Sequence, residues 1–254
     1  MPRKRQEKLR QRRAPQPLPE PLPPEKRTVG QLVAETIRFY QAHFLRVLPL
    51  GISVVALEQL TVPFGRRYTE PRGHPPSAAL HDSQAVLGGG IVTTLVLASL
   101  LFTASYIVAI VLVTSAKPDN RRLATAFLVG VVVFLPAPLI VAVLGFLALP
   151  AIAYLALLGW AVPAAVVEGT DFGGSFRRGI RLGRVDYVHA LGGLATLVIV
   201  FVVVRLMLVF LIHTGGELGA RSTAGLADLV LAPLLFVGSA ILYVDQAARD
   251  QARQ

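Results

Sequence analysis

The stretch ALGGLATLVIVFVVVRLMLVFLI, residues 190–212, contains a single charged side chain, Arg205. About twenty apolar helical residues cross the hydrocarbon layer of a bilayer, so this stretch predicts a transmembrane helix. ALPAIAYLALLGWAVPAAVV, residues 148–167, has no charged residue and predicts another. The whole chain agrees with both, because 54% of its 254 residues are hydrophobic and 16% are charged. Soluble domains carry roughly a quarter charged residues.

Apolar segments of this kind recur along the chain and predict an all-α, polytopic membrane bundle at 28–250. The six predicted spans are about 45–62, 90–116, 123–147, 150–168, 190–213 and 225–245. The third and fourth form one apolar tract that is too long for a single crossing. We therefore expect a tight hairpin near Ala148–Pro150. Without that turn the chain has five spans, and its termini lie on opposite sides.

The segments outside the spans have a different composition. Residues 1–27 contain seven prolines and nine Lys or Arg residues, without the apolar core of a signal peptide. This predicts a disordered, basic cytoplasmic tail, and residues 251–254 form a short C-terminal tail. From the N-cap Thr28 onward, apolar residues recur at helical spacing as far as Val47. That pattern predicts a helix lying in the membrane interface.

The basic residues predict the orientation of the chain. With six spans and an inside N-terminus, the cytoplasmic segments hold 20 of the 25 Lys and Arg residues. Cytoplasmic loops of membrane proteins carry an excess of these residues. We therefore predict a multi-pass protein of a bacterial-type plasma membrane, with both termini in the cytoplasm.

The connection between the fourth and fifth spans, GSFRRGIRLGRVDYVH at 174–189, is strongly basic. Its four arginines are Arg177, Arg178, Arg181 and Arg184, and its apolar residues fall on a different helix face. The pattern predicts an interfacial helix with a basic edge at headgroup depth. The arginines either bind anionic lipid headgroups or a protein partner, or simply hold the loop inside. Nucleic acid is not expected, since no groove-fitting element or stacking aromatics accompany them.

Charge is costly within a span, and Glu58 and Arg205 are two of the ionisable residues that lie within the predicted spans. Glu58 in the first span and Arg205 in the fifth reach a similar depth in the outer half. They are expected to form a structural ion pair or to reach the interface separately. The functional alternative is a pair that gates a proton or a substrate.

Two further acids lie at the cytoplasmic ends of spans. We expect Asp245 to accept hydrogen bonds from the basic connection or from Arg121 and Arg122, locking the last span to that connection. Glu168 is expected to act similarly at the end of the fourth span.

No catalytic, cofactor-binding or metal-ligating set is predicted. The outer loop 64–84 contains His74, His81 and Asp82, but a zinc site needs three or four converging ligands. The chain has no cysteine, which excludes disulfides, thiolate ligands and a cysteine nucleophile. Motifs for nucleotide binding, zinc hydrolysis or serine hydrolysis do not occur in the required context.

Three segments, in this order, resemble a known membrane domain. They are VGQLVAETIRFYQAHFLRVLPL at 29–50, VVEGTDFGGSFRRGIRLGRVDYVHALGG at 166–193 and ILYVDQAARDQAR at 241–253. The domain occurs in some glycerophosphoryl diester phosphodiesterases and in stand-alone bacterial proteins. The matching positions are Glu168, Gly169, Ser175, Leu182, Tyr243, Asp245 and Arg249, whereas Ala247 replaces the first arginine of the last motif. The resemblance, over about 29–250, implies a six-helix bundle.

Phosphodiesterase activity is not implied, because the catalytic barrel of the fused enzymes has no counterpart here. We therefore expect a non-enzymatic membrane module that organises or regulates a partner or lipid at the cytoplasmic face. The alternative is a small transporter or lipid-handling protein, which needs a polar cavity at mid-depth. The residues offered to line one are Glu58, Gln59, Ser99, Thr103, Ser105, Tyr106 and Arg205.

Overall fold

The computed structural model describes residues 23–57, 76–137, 140, 149–212 and 217–254. The side chains of 76–92, 94, 212 and 217–221 are outside this description. The described residues form helices and no strand, which confirms the all-α prediction. The helices are α1 (Val29–Ala42), α2 (Phe44–Leu57), α3 (Pro76–Thr114), α4 (Asn120–Phe134), α5 (Leu149–Glu168), α6 (Phe172–Val185), α7 (Tyr187–Ile212) and α8 (Glu217–Ala252).

Several of these helices are long and apolar enough to cross a membrane. Four qualify on their own: Leu95–Thr114, Leu149–Glu168, Tyr187–Leu211 and Ser222–Ala252. Helices α1 and α2 form a fifth candidate that is bent by 97°. The chain is thus a multi-pass membrane protein with four or five candidate spans among the described residues. The expected sixth is not reached, because α4 covers only 15 described residues and most of 138–148 lies outside the description.

Helix α8 is the axis of the bundle and defines its two ends. We call the end where its last turns meet Arg27, Arg178 and Arg181 the arginine-rich end. At the other, far end, Asp228 pairs with Arg205 of α7. Asp228 and Asp245 are 17 residues apart on one helix, which corresponds to about 25 Å. That distance is close to the thickness of a hydrocarbon layer.

Helix α1 begins with a capping box, in which the Thr28 and Gln31 side chains bond to each other's backbone amides. Arg27, just before α1, pairs with Asp245, whereas the Tyr40 hydroxyl near its end donates to the Val230 carbonyl at 2.7 Å. Helix α1 therefore runs antiparallel to α8 from the arginine-rich end toward the far end.

The sequence predicted a helix lying in the membrane interface, whereas in the structure α1 packs along α8. Leu32, Thr36 and Tyr40 form a buried stripe at a spacing of four residues, and the stripe packs in the bundle. Amphipathic spacing has the same form whether the apolar face meets lipid or protein, so the pattern alone does not distinguish the two cases. Part of the segment 1–27, predicted as a disordered tail, is described by the structure. Pro24–Lys26 form a 3₁₀ turn, while residues 1–22 lie outside the described residues.

Helix α2 crosses α8 at the far end. Gly51 lies so close to the Leu229 backbone that a side chain there has no room. The exposed side chains of Leu45 and Ile52 suit a position at or in the membrane. The predicted first span, 45–62, therefore starts as a segment bent sharply away from α1, and its last residues lie outside the described part.

Helices α3, α4 and α5 reverse direction at the arginine-rich end. The Arg122 side chain, at the start of α4, lies against Gly169 just after α5, and Gly130 of α4 packs on Thr103 of α3. The start of α4 and the end of α5 thus lie together, so the described parts of these two helices run in opposite directions. Most of the residues between them, including Ala148 of the expected hairpin, lie outside the described part of the chain.

Helix α7 is the most exposed of the candidate spans. Only 6% of its apolar 18-residue stretch is buried, and Leu206, Met207 and Phe210 are all exposed. Such a face is stable when lipid chains surround it. By contrast, 67% of the corresponding apolar stretch of α8 is buried, consistent with its central position.

Candidate functional site

The candidate site is the arginine-rich end, where α6 follows a tight turn out of α5. Gly169 adopts a φ of 69°, a left-handed conformation that favours glycine. Asp171 then caps α6, since its side chain accepts a hydrogen bond from the Gly174 amide at 3.2 Å. The buried Ser175 hydroxyl donates to the Asp171 carbonyl at 2.8 Å. These bonds set the direction in which α6 leaves the turn.

Helix α6 packs on α5 through two glycines one turn apart. A Cβ on Gly179 would lie 2.6 Å from the Ala161 amide nitrogen, and one on Gly183 would lie 2.8 Å from the Leu157 carbonyl. The backbones of the two helices therefore touch, with Leu182 fully buried beside them. The close contact fixes the rotation of α6 and with it the direction of each arginine.

Arg178 joins three helices. Its Nε lies 2.8 Å from Glu168 Oε2 at the end of α5, and its Nη1 donates to Asp250 of α8. The Tyr243 hydroxyl donates to the other Glu168 oxygen at 3.0 Å. Burial of the Arg178 guanidinium opposes its charge, but the hydrogen bonds to Glu168 and Asp250 together raise its pKa. Glu168 thus occupies the helix-joining position expected of it.

The other three arginines of the connection divide into two kinds. Arg181 pairs with Asp250, with Nη2 at 2.9 Å from Oδ2. Arg177 and Arg184 are exposed, and neither forms a hydrogen bond or ion pair with any residue of the described ranges. The predicted contact set is therefore split. Arg178 and Arg181 hold α6 to α8, and Arg177 and Arg184 face outward.

Asp245 has a different partner from the one predicted. Its Oδ1 accepts a hydrogen bond from Arg27 Nη1 at 2.7 Å, and not from the basic connection or Arg121 and Arg122. Arg27 precedes α1 and was assigned to the disordered tail. Because α1 runs along α8, Arg27 lies next to Asp245. Asp250 lies about one turn farther along α8 and contacts α6 instead.

Arg249 completes this junction. Its Nη1 donates to Asp186 at the start of α7 at 2.6 Å, and its Nη2 donates to the Arg27 carbonyl, also at 2.6 Å. Gln246 donates to the Asp186 carbonyl at 3.2 Å. The last turns of α8 therefore bind the segment before α1 and the beginning of α7 as well as α6.

At the far end, Arg205 forms a bidentate pair with Asp228, at 2.5 Å for Nε–Oδ1 and 3.0 Å for Nη2–Oδ2. The predicted partner, Glu58, lies outside the described residues. Asp228 was not singled out from the sequence. Its signal was its place in an otherwise apolar helix, three residues into the predicted sixth span.

Sequence reasoning also missed Asp186 and Asp250. The chain has 15 acidic residues against 25 basic ones, so each acid beside a basic cluster is a candidate partner. That signal identifies both residues, but it does not say which arginine each one meets. The choice depends on the rotation of α6, which the glycine contact sets.

No group of three His, Asp or Glu residues in the described ranges is placed to hold a metal ion. His74 lies outside these ranges, as do the side chains of His81 and Asp82. The arginine-rich end offers the two exposed guanidinium groups of Arg177 and Arg184, on a helix that part-buried ion pairs hold to α5 and α8.

No protein-family model matches the chain, and neither a curated protein nor a solved structure similar to it was found. The resemblance to the membrane domain of glycerophosphoryl diester phosphodiesterases thus stays a prediction. Several positions that carry it nevertheless have structural roles in the turn, in the buried face of α6 or in the ion-pair set: Glu168, Gly169, Ser175, Leu182, Tyr243, Asp245 and Arg249.

Proposed function

We propose that this protein is a non-enzymatic membrane module whose arginine-rich end lies at the cytoplasmic face of a bacterial-type plasma membrane and binds anionic lipid headgroups there. By this binding it organises lipid, or a protein partner, beside the membrane. The observation that carries the proposal is the division of the basic connection. Arg178 and Arg181 pair with acids of the bundle, while Arg177 and Arg184 are exposed and pair with no residue of the described ranges.

The exposed pair suits a phosphate-bearing surface. Arg177 and Arg184 are seven residues apart, or two helical turns, so they lie on one side of α6. A guanidinium group donates to phosphate oxygens in a bidentate fashion, and each basic residue near an anionic membrane surface contributes about 1 kcal/mol. Lys117 and Arg121, at the same end of the bundle, extend the basic surface.

The test compares single charge removals in the purified protein. Arg177→Gln and Arg184→Gln should each weaken binding of phosphatidylglycerol about fivefold, while binding of phosphatidylcholine should not change. Native mass spectrometry of the detergent-solubilised protein with each added lipid gives the affinities. The matched control is Arg46→Gln, which removes one exposed charge from the far end. An equal loss in the control, or no loss in either α6 variant, contradicts the proposal.

A lipid-handling protein is the second candidate, and a different observation favours it. A cavity of about 190 Å³ lies among α2, α3, α4, α5, α7 and α8. Its described lining includes Tyr106 but no charged residue. Ser99 instead donates to its own helix and Arg205 pairs with Asp228, so neither supplies a polar path for a transporter. The cavity suits an apolar ligand.

A further inference from the structure

Aromatic side chains form much of the wall of the cavity. Phe102 packs edge-on to Phe134 with ring centroids 6.4 Å apart, and it lies 6.0 Å from Phe236. Trp160 forms another wall and donates its indole N–H to the Ala156 carbonyl at 2.5 Å. The volume of about 190 Å³ exceeds the roughly 150 Å³ of an apolar protein cavity that binds benzene. The space is therefore sufficient for part of an acyl chain.

Two hydroxyl-bearing residues, Tyr106 and Ser239, line the otherwise apolar cavity. Tyr106 lies one turn closer to the arginine-rich end than Phe102 on α3, and Ser239 lies one turn closer than Leu235 on α8. Tyr106 is 3% exposed, and neither hydroxyl forms a hydrogen bond with any residue in the described parts of the chain. Each hydroxyl is therefore available for a hydrogen bond to a molecule in the cavity.

We propose that the cavity binds a single-chain amphiphile with a neutral polar group, of the class of long-chain alcohols and acyl esters. The polar group bonds to Tyr106 and Ser239, and the chain extends toward Phe102, Phe134 and Leu235. A carboxylate is disfavoured, because the described lining holds no cation to pair with it. Lipid tails in a bilayer are already in an apolar medium. The favourable free energy of binding therefore comes from packing against the aromatic walls and from the hydrogen bonds to the two hydroxyls.

This inference names a ligand for the lipid-handling candidate, on which it rests, and it is independent of headgroup binding at the arginine-rich end. The single tryptophan of the chain, Trp160, lines the cavity and reports on its contents. The probe is 11-bromo-1-undecanol, whose bromine quenches indole fluorescence on contact. The protein is placed in nanodiscs of unbrominated phospholipid, so that probe dissolved in the bilayer gives a linear background and a bound probe gives saturable quenching.

We expect saturable quenching by the alcohol, and at least about fivefold weaker binding of 11-bromoundecanoate at a pH where it is ionised. Tyr106→Phe keeps the volume and should weaken binding of the alcohol about fivefold. Ser239→Phe fills the cavity and should remove the saturable component. The matched control is Val203→Phe, which adds the same ring to the exposed face of α7 and should change nothing.

Two further experiments test whether the bilayer supplies the ligand and whether the cavity acts independently of the arginine-rich end. If a phospholipid of the bilayer itself supplies the acyl chain, nanodiscs made with dibrominated phospholipid should quench Trp160 fluorescence in the native protein but not in Ser239→Phe. Arg177→Gln should leave the quenching unchanged, because it acts at the other site. Linear quenching alone, or equal saturable quenching in the native protein, Tyr106→Phe and Ser239→Phe, would overturn the proposal even where Ser239→Phe folds poorly.

Discussion

Arg205 and Asp228 show what a single ion pair does inside this bundle. Their two hydrogen bonds are bidentate, and the Asp228 side chain is 3% exposed, so its charge is nearly removed from solvent. Charge-assisted bidentate contacts are stronger than neutral ones. When one partner of a buried pair is removed, the other is left as an uncompensated buried charge. That charge accounts for most of the lost stability.

Arg205→Leu should therefore lower the free energy of unfolding by about 3 kcal/mol, and adding Asp228→Leu should restore part of the loss. The midpoint of thermal unfolding in a fixed detergent measures both variants. The control is Arg184→Leu, the same change at an exposed residue, which should shift stability by less than about 0.5 kcal/mol. If the double variant is less stable than Arg205→Leu, the pair is not the main role of Arg205.

The contact between α5 and α6 shows how one helix is positioned by another. Gly179 and Gly183 bring the two backbones together, and the same rotation places Arg178 and Arg181 toward Asp250. The arginines on this helix are therefore directed by residues that carry no charge. Substitutions of these glycines should therefore weaken the ion pairs, although no charged residue is changed.

Gly179→Ala is expected to lower the free energy of unfolding by about 1–3 kcal/mol, because the added Cβ lies 2.6 Å from the Ala161 backbone and the helices must separate. Gly173→Ala is the control. Its Cβ comes no closer than 3.9 Å to a neighbouring atom, so better helix propensity should leave stability equal or higher by under about 1 kcal/mol. Thermal unfolding distinguishes the two, and equal behaviour of both variants contradicts close packing at Gly179.

At the scale of the whole molecule, α1 connects the two ends of the bundle. Arg27 is joined to Asp245 at the arginine-rich end, and Tyr40 reaches Val230 near the far end. Arg46 of α2, counted among the cytoplasmic residues on sequence grounds, therefore lies at the opposite end from Arg184. This changes the side of the membrane on which part of the N-terminal region is expected.

The chain has no cysteine, so single cysteines report this arrangement without a background. Arg46→Cys and Arg184→Cys should react with a membrane-impermeant maleimide from opposite sides of the membrane. Right-side-out and inverted vesicles measure the accessibility of each, with the cysteine-free native chain as control. Labelling of both positions from the same side would mean that α1 lies along one interface and does not cross.

The part of the site that could be predicted follows from local pattern. The spacing of Arg177, Arg181 and Arg184 predicted a basic amphipathic helix, and α6 is that helix. The pairing was not predictable in the same way. Asp245 and Asp250 are five residues apart on one helix, and a rotation of about 140° between them sends one to Arg27 and the other to α6.

The sequence by itself determined that this chain is helical, apolar enough for several membrane spans, and basic at one connection. Each of these is a property of a single segment, set by composition and by the 3.6-residue period. Only the tertiary structure decided the direction of α1, the partners of Asp245 and Arg205, and the cavity beside Tyr106. These depend on the rotation and register of packed helices, and close backbone contacts such as those of Gly51 and Gly179 set both.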